Sequence, residues 1–251
     1  MYEELRKIID ESRAIVFFGG AGVSTESGIP DFRSENGLYN AQNNYGFRPE
    51  EIISHSFFVR DAFVFYDYYK KNMVAPWAKP NKAHEVLAKL EAQGKLKAVV
   101  TQNIDGLHQM AGSKTVYELH GSVHRNYCRK CGKFYDLAYV LNEDNCKKNP
   151  KNPDMLGIPE CSCGGVIKPD VVLYEEGLDD ECVSGAVNAI SNCDTLIIGG
   201  TSLAVYPAAS FINYFRGNHL VIINKSSTAA DSYADLVIHD PIGEVLFEAT
   251  K

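Results

Sequence analysis

The sequence lacks any run approaching the ~20 uninterrupted apolar residues of a membrane-spanning helix. Its opening segment, MYEELRKIIDESR, lacks the apolar core and small-residue cleavage site of an export signal, and alternates charged and apolar residues like a surface helix. A surplus of positive charge is missing too: 25 Lys and Arg face 32 Asp and Glu, a formal net charge of -7. General affinity for nucleic acid or anionic membrane needs clustered cations, so the balance argues against both. Seven cysteines, an odd number in a chain without an export signal, fit metal ligands plus buried thiols better than a disulfide framework. These absences predict a cytoplasmic globular protein with no membrane partner, and 251 residues with 45% hydrophobic side chains can bury a sizeable core.

What is present is an alternation of strand and helix patterns. Short β-rich apolar runs occur at residues 14–18, 96–101, 115–119, 195–198, 220–224 and 236–239. Runs apolar on both faces are what strands of a buried parallel sheet look like. Helical patterns lie between several of them, at residues 83–93 ahead of Gly94 and at 182–190 before Asp194. The order predicts an α/β fold, a Rossmann-like doubly wound parallel sheet. Two segments interrupt it: residues 35–79, rich in aromatics, and residues 123–165, polar and cysteine-bearing. Together they are read as a smaller inserted domain, a helical module and a metal-binding module, leaving 1–34, 80–122 and 166–251 as the larger domain.

Directly after the first apolar run comes GGAGVSTESGIPDFR, residues 19–33. Glycines there let backbone N–H groups approach a pyrophosphate, although a structural tight turn explains a lone Gly-x-Gly about as well. Thr25 at the third glycine position, and Asn40 where an acid would hold a ribose, disfavour the hydride-transfer version of this fingerprint. The next run ends in QNIDGLH, placing Asn103 and Asp105 beyond a strand C-terminus, where open α/β sheets bind ligands. An Asx turn that caps the following helix is the plainer explanation for an isolated Asn-x-Asp. The third run ends in Leu119-His120-Gly121-Ser122, and an imidazole at that edge is suited to taking a proton near neutral pH, unless it is a satisfied structural histidine.

The cysteines form two pairs, Cys128-x2-Cys131 and Cys161-x-Cys163, each followed by glycine. Four soft ligands on two tight turns predict a tetrahedral zinc site, and four cysteine ligands leave no open position, so the metal would be structural. Cys146 is a possible substitute ligand; Cys182 and Cys193 read as ordinary thiols.

In combination these motifs are recognisable. GAGVSTESGIPDFR, TQNIDGLH, HGS, the cysteine pairs, GTSLAVYPA from Gly200 and the strand end at Asn224 occur in the order found in sirtuins. The chain resembles that family, in its bacterial and archaeal form, over nearly its whole length. The resemblance implies an NAD-dependent protein-lysine deacylase that transfers the acyl group to ADP-ribose and releases nicotinamide. The partner would be an acyl-lysine protein or peptide bound between the domains, with no sequence-specific nucleic acid. Carried over residue by residue, it implies phosphate and ribose contacts at Gly20, Ala21, Gly22 and Ser24, and a closing loop at Asp31, Phe32 and Arg33. Gln102, Asn103 and Asp105 would hold the nicotinamide ribose and carboxamide, and Gly200, Thr201, Ser202 and Asn224 the phosphates and adenosine ribose. His120 would be the general base, with Asn103 beside it in catalysis, and Val171, Val172, Leu173 and Tyr174 would pair with the substrate as an added strand.

Two departures stand out. Where the family commonly has Phe-Gly-Glu, this chain has Tyr174-Glu175-Glu176. Relatives that remove succinyl or malonyl groups carry a Tyr-x-x-Arg pair; the matching residues here are Tyr66 and Tyr69, so acetyl or neutral longer acyl groups are expected. Two other readings compete: a mono-ADP-ribosyltransferase on the same fold, disfavoured by His120, and a zinc-ribbon interaction module binding nucleic acid or protein, disfavoured for phosphate binding because Glu143, Asp144, Asp154 and Glu160 oppose the nearby cations.

Overall fold

The computed structural model describes residues 2–30 and 42–251. In chain order its strands are β1 (Ile15–Gly19), β2 (Leu96–Thr101), β3 (Val116–Glu118), β4 (Gly121–Cys128), β5 (Phe134–Tyr135), β6 (Cys146–Lys147), β7 (Ile158–Pro159), β8 (Ile167–Val171), β9 (Thr195–Gly199), β10 (His219–Ile223) and β11 (Leu236–Ile238). The chain divides into two compact units. One comprises Met1–Ile29, Trp77–Leu119 and Leu178–Lys251; the other comprises Pro30–Pro76 and His120–Gly177.

In the first unit the six expected apolar runs become one sheet, ordered β11-β10-β9-β1-β2-β3, with every neighbouring pair parallel. The two-residue period of a strand sends Ile15, Phe17, Ile197 and Val221 to one face and Val16, Phe18, Ile198 and Ile222 to the other. Helices Glu3–Glu11, Lys82–Ala92 and Ile242–Ala249 cover the first face. Helix Asp180–Asn192 and the 3-10 turns at Ala208–Tyr214 cover the second, so the sheet is doubly wound. Local chemistry sets the helix ends: Asn81 accepts the Ala83 N–H and Asp179 accepts the Cys182 N–H. Truncating a side chain such as the wholly buried Phe17 costs about 3–5 kcal/mol in a core of this kind. Among the described residues no helix is long and apolar enough to cross a membrane.

The second unit has its own small sheet, β5-β4-β8, in which β4 pairs antiparallel with both neighbours. Because Gly121 lies opposite Val171 in that pairing, residues 120–122 and 166–177 group with this unit rather than with the large sheet. Beside it lie the short helices His55–Arg60 and Ala62–Tyr68 and a π-helical turn Tyr69–Met73. Their aromatics form a core: Phe65 stacks on Tyr69 at 5.8 Å and meets Tyr66 edge-on at 5.1 Å. Tyr66 is fully buried and its hydroxyl donates to the Ile167 carbonyl. Tyr66 and Tyr69 are thus spent on packing.

One polar feature sits inside the first unit's core. His84 and His108 are 0% and 1% exposed, their rings 4.7 Å apart. His84 Nδ1 accepts the Asn81 N–H, while His84 Nε2 and both His108 nitrogens have no hydrogen-bond partner among the described residues. Burial pushes both imidazoles below their usual range, and for His108 the neighbouring His84 adds to it. In the unfolded chain both take up protons below about pH 6.5, whereas in the fold both stay neutral, so stability falls with falling pH from there. The melting temperature is expected to drop already between about pH 6.5 and 5, above the carboxylate range, and to drop less in a His84→Gln/His108→Gln variant. A melting temperature flat across that interval would contradict this reading.

Candidate active site

A parallel sheet brings its strand C-termini to one edge, and a ligand crevice opens where the connections diverge to opposite sides. That point falls between β1 and β9, since chain order runs outward from β1 through β2 and β3 on one side and from β9 through β10 and β11 on the other. Gly20, Ala21 and Gly22 follow β1; Gly200, Thr201 and Ser202 follow β9. The two loops cross at close range. Gly22 N–H donates to the Gly200 carbonyl at 2.8 Å, and a Cβ on Gly22 would lie 2.7 Å from Gly200 Cα. Gly200 has φ +59°, and a Cβ there would lie 2.4 Å from the Val23 nitrogen. Only glycine permits that approach.

Around this crossing a polar chain assembles. Asn103 Nδ2 donates to Ser24 Oγ at 3.0 Å, and Ser24 Oγ donates to Asp105 Oδ2 at 2.6 Å. The other Asp105 oxygen accepts the Leu107 N–H at 2.9 Å and so closes an Asx turn leading into helix Leu107–Ala111. One oxygen of Asp105 therefore serves the Asx turn while the second is drawn into the strand-end network. Gln102 Nε2 donates to Thr201 Oγ1 at 3.0 Å, linking the ends of β2 and β9. Asn224, after β10, is held by its N–H on the Ile238 carbonyl and its side chain on the Ser226 carbonyl at 2.6 Å. Asp31, Phe32 and Arg33 lie outside the described residues.

Two residues overlooked in the sequence support the glycine loop. Asn81 Nδ2 donates to the Val23 carbonyl at 2.8 Å and to Ser27 Oγ at 3.0 Å. Glu26 accepts the Gly243 N–H at 2.9 Å, capping helix Ile242–Ala249, whose Pro241 offers no side-chain cap. Asn81 carries a readable signal as the N-cap before Lys82; Glu26 acts across 217 residues and carries none.

In the second unit, half-buried His120 directly precedes β4, and its carbonyl accepts the Val172 N–H at 3.0 Å. Val171 ends β8, an edge strand, and Val172, Leu173 and Tyr174 continue from it. Tyr174 is paired already, its N–H on the Ile53 carbonyl and its own carbonyl on the His55 N–H. Glu175 has φ +76°, a left-handed conformation that costs a non-glycine residue about 1 kcal/mol. Its carboxylate accepts both the N–H and the hydroxyl of Ser56, at 2.8 and 2.9 Å, at the start of helix His55–Arg60. Glu176 binds His55 Nδ1 at 2.8 Å, Lys168 Nζ at 3.0 Å and the Leu173 N–H at 2.9 Å. Burial would raise the Glu176 carboxyl, but these bonds hold it below its usual range.

The sulfurs of Cys128, Cys131, Cys161 and Cys163 all lie within 4.8 Å of one another, with 3.5 Å between Cys128 and Cys163 and 3.6 Å between Cys131 and Cys161. Tetrahedral zinc with bonds of about 2.3 Å requires sulfurs roughly 3.8 Å apart, so the cage fits that ion. Gly165 makes room, since a Cβ there would lie 2.7 Å from Cys128 Sγ, and the Tyr135 hydroxyl donates to Cys161 Sγ at 3.0 Å. Cys146 stands apart from the cage, bonded to Lys70. Because the cage anchors β4 and β8, Cys128→Ala is expected to release the metal and unfold the second unit, read by zinc content and circular dichroism. A zinc-free variant melting like the parent would contradict a structural role.

Comparison with known proteins agrees with this architecture. The sequence model of the Sir2 family matches residues 20–207. A Clostridium acetobutylicum protein named NAD-dependent protein deacetylase is 62% identical over 244 residues, spanning 97% of this chain and 95% of its own length. One of the same name from Clostridium perfringens is 62% identical, spanning 97% and 96%. A solved structure of Sir2 bound to acetylated peptide superposes with TM-score 0.82 at 35% identity, covering 100% of this chain and 97% of that one. The chain belongs to the Sir2 family.

Proposed function

We propose that this chain is an NAD-dependent protein-lysine deacylase, with acetyl-lysine as its foremost substrate. The observation that carries the reading is the Asn103–Ser24–Asp105 chain set beside the glycine crossing, a cluster of amide, hydroxyl and carboxylate groups at a sheet switch point. When bound, NAD supplies a ribose carbon that becomes electrophilic as nicotinamide departs. Gly20, Ala21, Gly22 and Ser24 serve the phosphate and ribose side, and Gly200, Thr201, Ser202 and Asn224 the phosphates and adenosine ribose. Gln102, Asn103 and Asp105 orient the nicotinamide ribose and carboxamide through groups whose own positions are already set by hydrogen bonds.

His120 takes a proton from a ribose hydroxyl, for which an imidazole is suited near neutral pH. The edge position of β8 supports strand addition of an extended substrate beginning at Val171 and Val172, a mode that reads backbone before side chains, while Leu173 and Tyr174, whose backbone groups already bond Glu176, Ile53 and His55, contribute side chains instead. Asp31, Phe32 and Arg33 complete the cofactor side. Neither Tyr66 nor Tyr69 offers a cation for an acidic acyl group, and both are buried in aromatic packing, which supports acetyl over succinyl. A thiolate cage is best preserved in a reducing compartment, which supports the cytoplasm as its place of work.

Mass spectrometry of an acetyl-lysine peptide incubated with the protein should show acetyl loss only when NAD is present, with the acetyl group recovered on ADP-ribose. An ADP-ribose adduct on the peptide without acetyl loss would make the protein a transferase instead. His120→Ala is expected to lower turnover by roughly 10²–10⁴-fold while sparing NAD affinity; unchanged turnover would remove His120 from its role. On one peptide sequence, acetyl should leave faster than succinyl, and the reverse order would refute the acyl assignment.

A further inference from the structure

Within the second unit, three ionisable side chains meet that the proposed deacylation does not use. Lys70 comes from the π turn Tyr69–Met73, Glu143 from the 3-10 turn Glu143–Asn145 and Cys146 from β6. The Lys70 side chain is only 2% exposed. Its Nζ donates to Glu143 Oε1 at 2.7 Å, to the Gly157 carbonyl at 2.9 Å and to Cys146 Sγ at 3.2 Å. Burial works against the Glu143 carboxyl, yet hydrogen bonds from Lys148, Lys70 and the Gly157 N–H hold it down to about 2. It therefore stays charged and keeps the lysine nitrogen against the sulfur. Three acceptors thus take the three protons of the buried ammonium. The unusual element is the thiol as third acceptor.

Further features mark the pair as built for proximity. A Cβ at Gly157 would lie 2.7 Å from Cys146 Cβ, so only glycine lets the β6–β7 hairpin press Cys146 toward Lys70. The Cys146 sulfur also faces the Asn142 carbonyl at 3.4 Å, which fixes the side chain from the other side. Cys146 is half-buried, within reach of a small oxidant, and lies outside the zinc cage, so its oxidation leaves the metal ligands intact.

We infer that Lys70 and Cys146 form a covalent modification site, joined under a peroxide by a single oxygen as a Cys–S–O–N–Lys bridge. The first peroxide converts S–H to S–OH and leaves as water. With the second, the Lys70 nitrogen bonds to that oxygen as one S–O–H and one N–H hydrogen are lost. Thiol, amine and two hydrogen peroxide molecules thus give the bridge and three waters. Sulfur and nitrogen together lose four electrons, and the extra ammonium proton goes to solvent. Dithiols reverse the step by returning those electrons. The bridge ties the end of the aromatic helix to the β6–β7 hairpin and closes a long covalent loop inside this unit, which raises its melting temperature under oxidation.

The test is peptide mapping of the zinc-loaded protein after hydrogen peroxide. The expected product joins the peptides holding Lys70 and Cys146 and is heavier than their sum by about 14 Da, one oxygen gained and two hydrogens lost. It should vanish with dithiothreitol and be missing from Cys146→Ser and from Lys70→Arg, whose zinc content and circular dichroism report folding. A Cys146 peptide that gains about 16 or 32 Da alone, with Lys70 unlinked, would overturn the inference. So would a Cys146 that stays a free thiol while Cys182 is oxidised.

Discussion

The C-terminal edge of the large sheet, where we place the nucleotide, depends on one steric constraint, the passage of the Gly20–Gly22 backbone across that of Gly200. The hydrogen bond from Gly22 to Gly200 and the clash that any side chain would meet at either position hold the loops after β1 and β9 together at the sheet's switch point. Much of the rest follows from that crossing. It sets Ser24 where the Asn103 amide and the Asp105 carboxylate both reach it, and Thr201 where Gln102 reaches it. The glycines therefore shape this edge of the sheet by packing loop on loop, beside the phosphate role we propose for them.

The two units are stabilised by different means. The first relies on a sheet covered on both faces, whose central strands β1 and β9 are wholly buried. The second has short strands and a small core that includes Cys128 and Cys161 themselves, so metal ligation substitutes for apolar area. Its turn after β8 is fastened by carboxylates. Glu175 binds the first turn of helix His55–Arg60, and Glu176 gathers His55, Lys168 and the Leu173 N–H. That explains how glutamate is accommodated where the family commonly has glycine: bonds to Ser56 offset the cost of its left-handed backbone.

All six strands of the large sheet were legible because a doubly covered parallel strand is an apolar run, and the boundaries shift by only a residue or so. The zinc cage was legible because its ligands come as two local turns. Other features were not. Helix Ile242–Ala249 shows apolar Ile242, Val245, Leu246 and Ala249 at helical spacing, yet it is short and lacks a side-chain cap of its own. The grouping of residues 166–177 with β4 depends on a pairing between distant segments, which no local pattern announces. Spacing also could not say where Tyr66 points; its hydroxyl goes to the Ile167 carbonyl. The loops after β1, β2 and β9 were readable as motifs, but the hydrogen bonds that join them, such as Ser24 to Asp105 across 81 residues, were not.

The most direct test of the central claim is calorimetric titration of NAD into a Gly22→Ala variant. Its added methyl would collide with Gly200 and separate the two loops without touching the sheet or the zinc cage. The account predicts NAD affinity reduced at least tenfold, about 1.4 kcal/mol, with unchanged zinc content and a cooperative melt. A Gly22→Ala protein that binds NAD as tightly as the parent would contradict it.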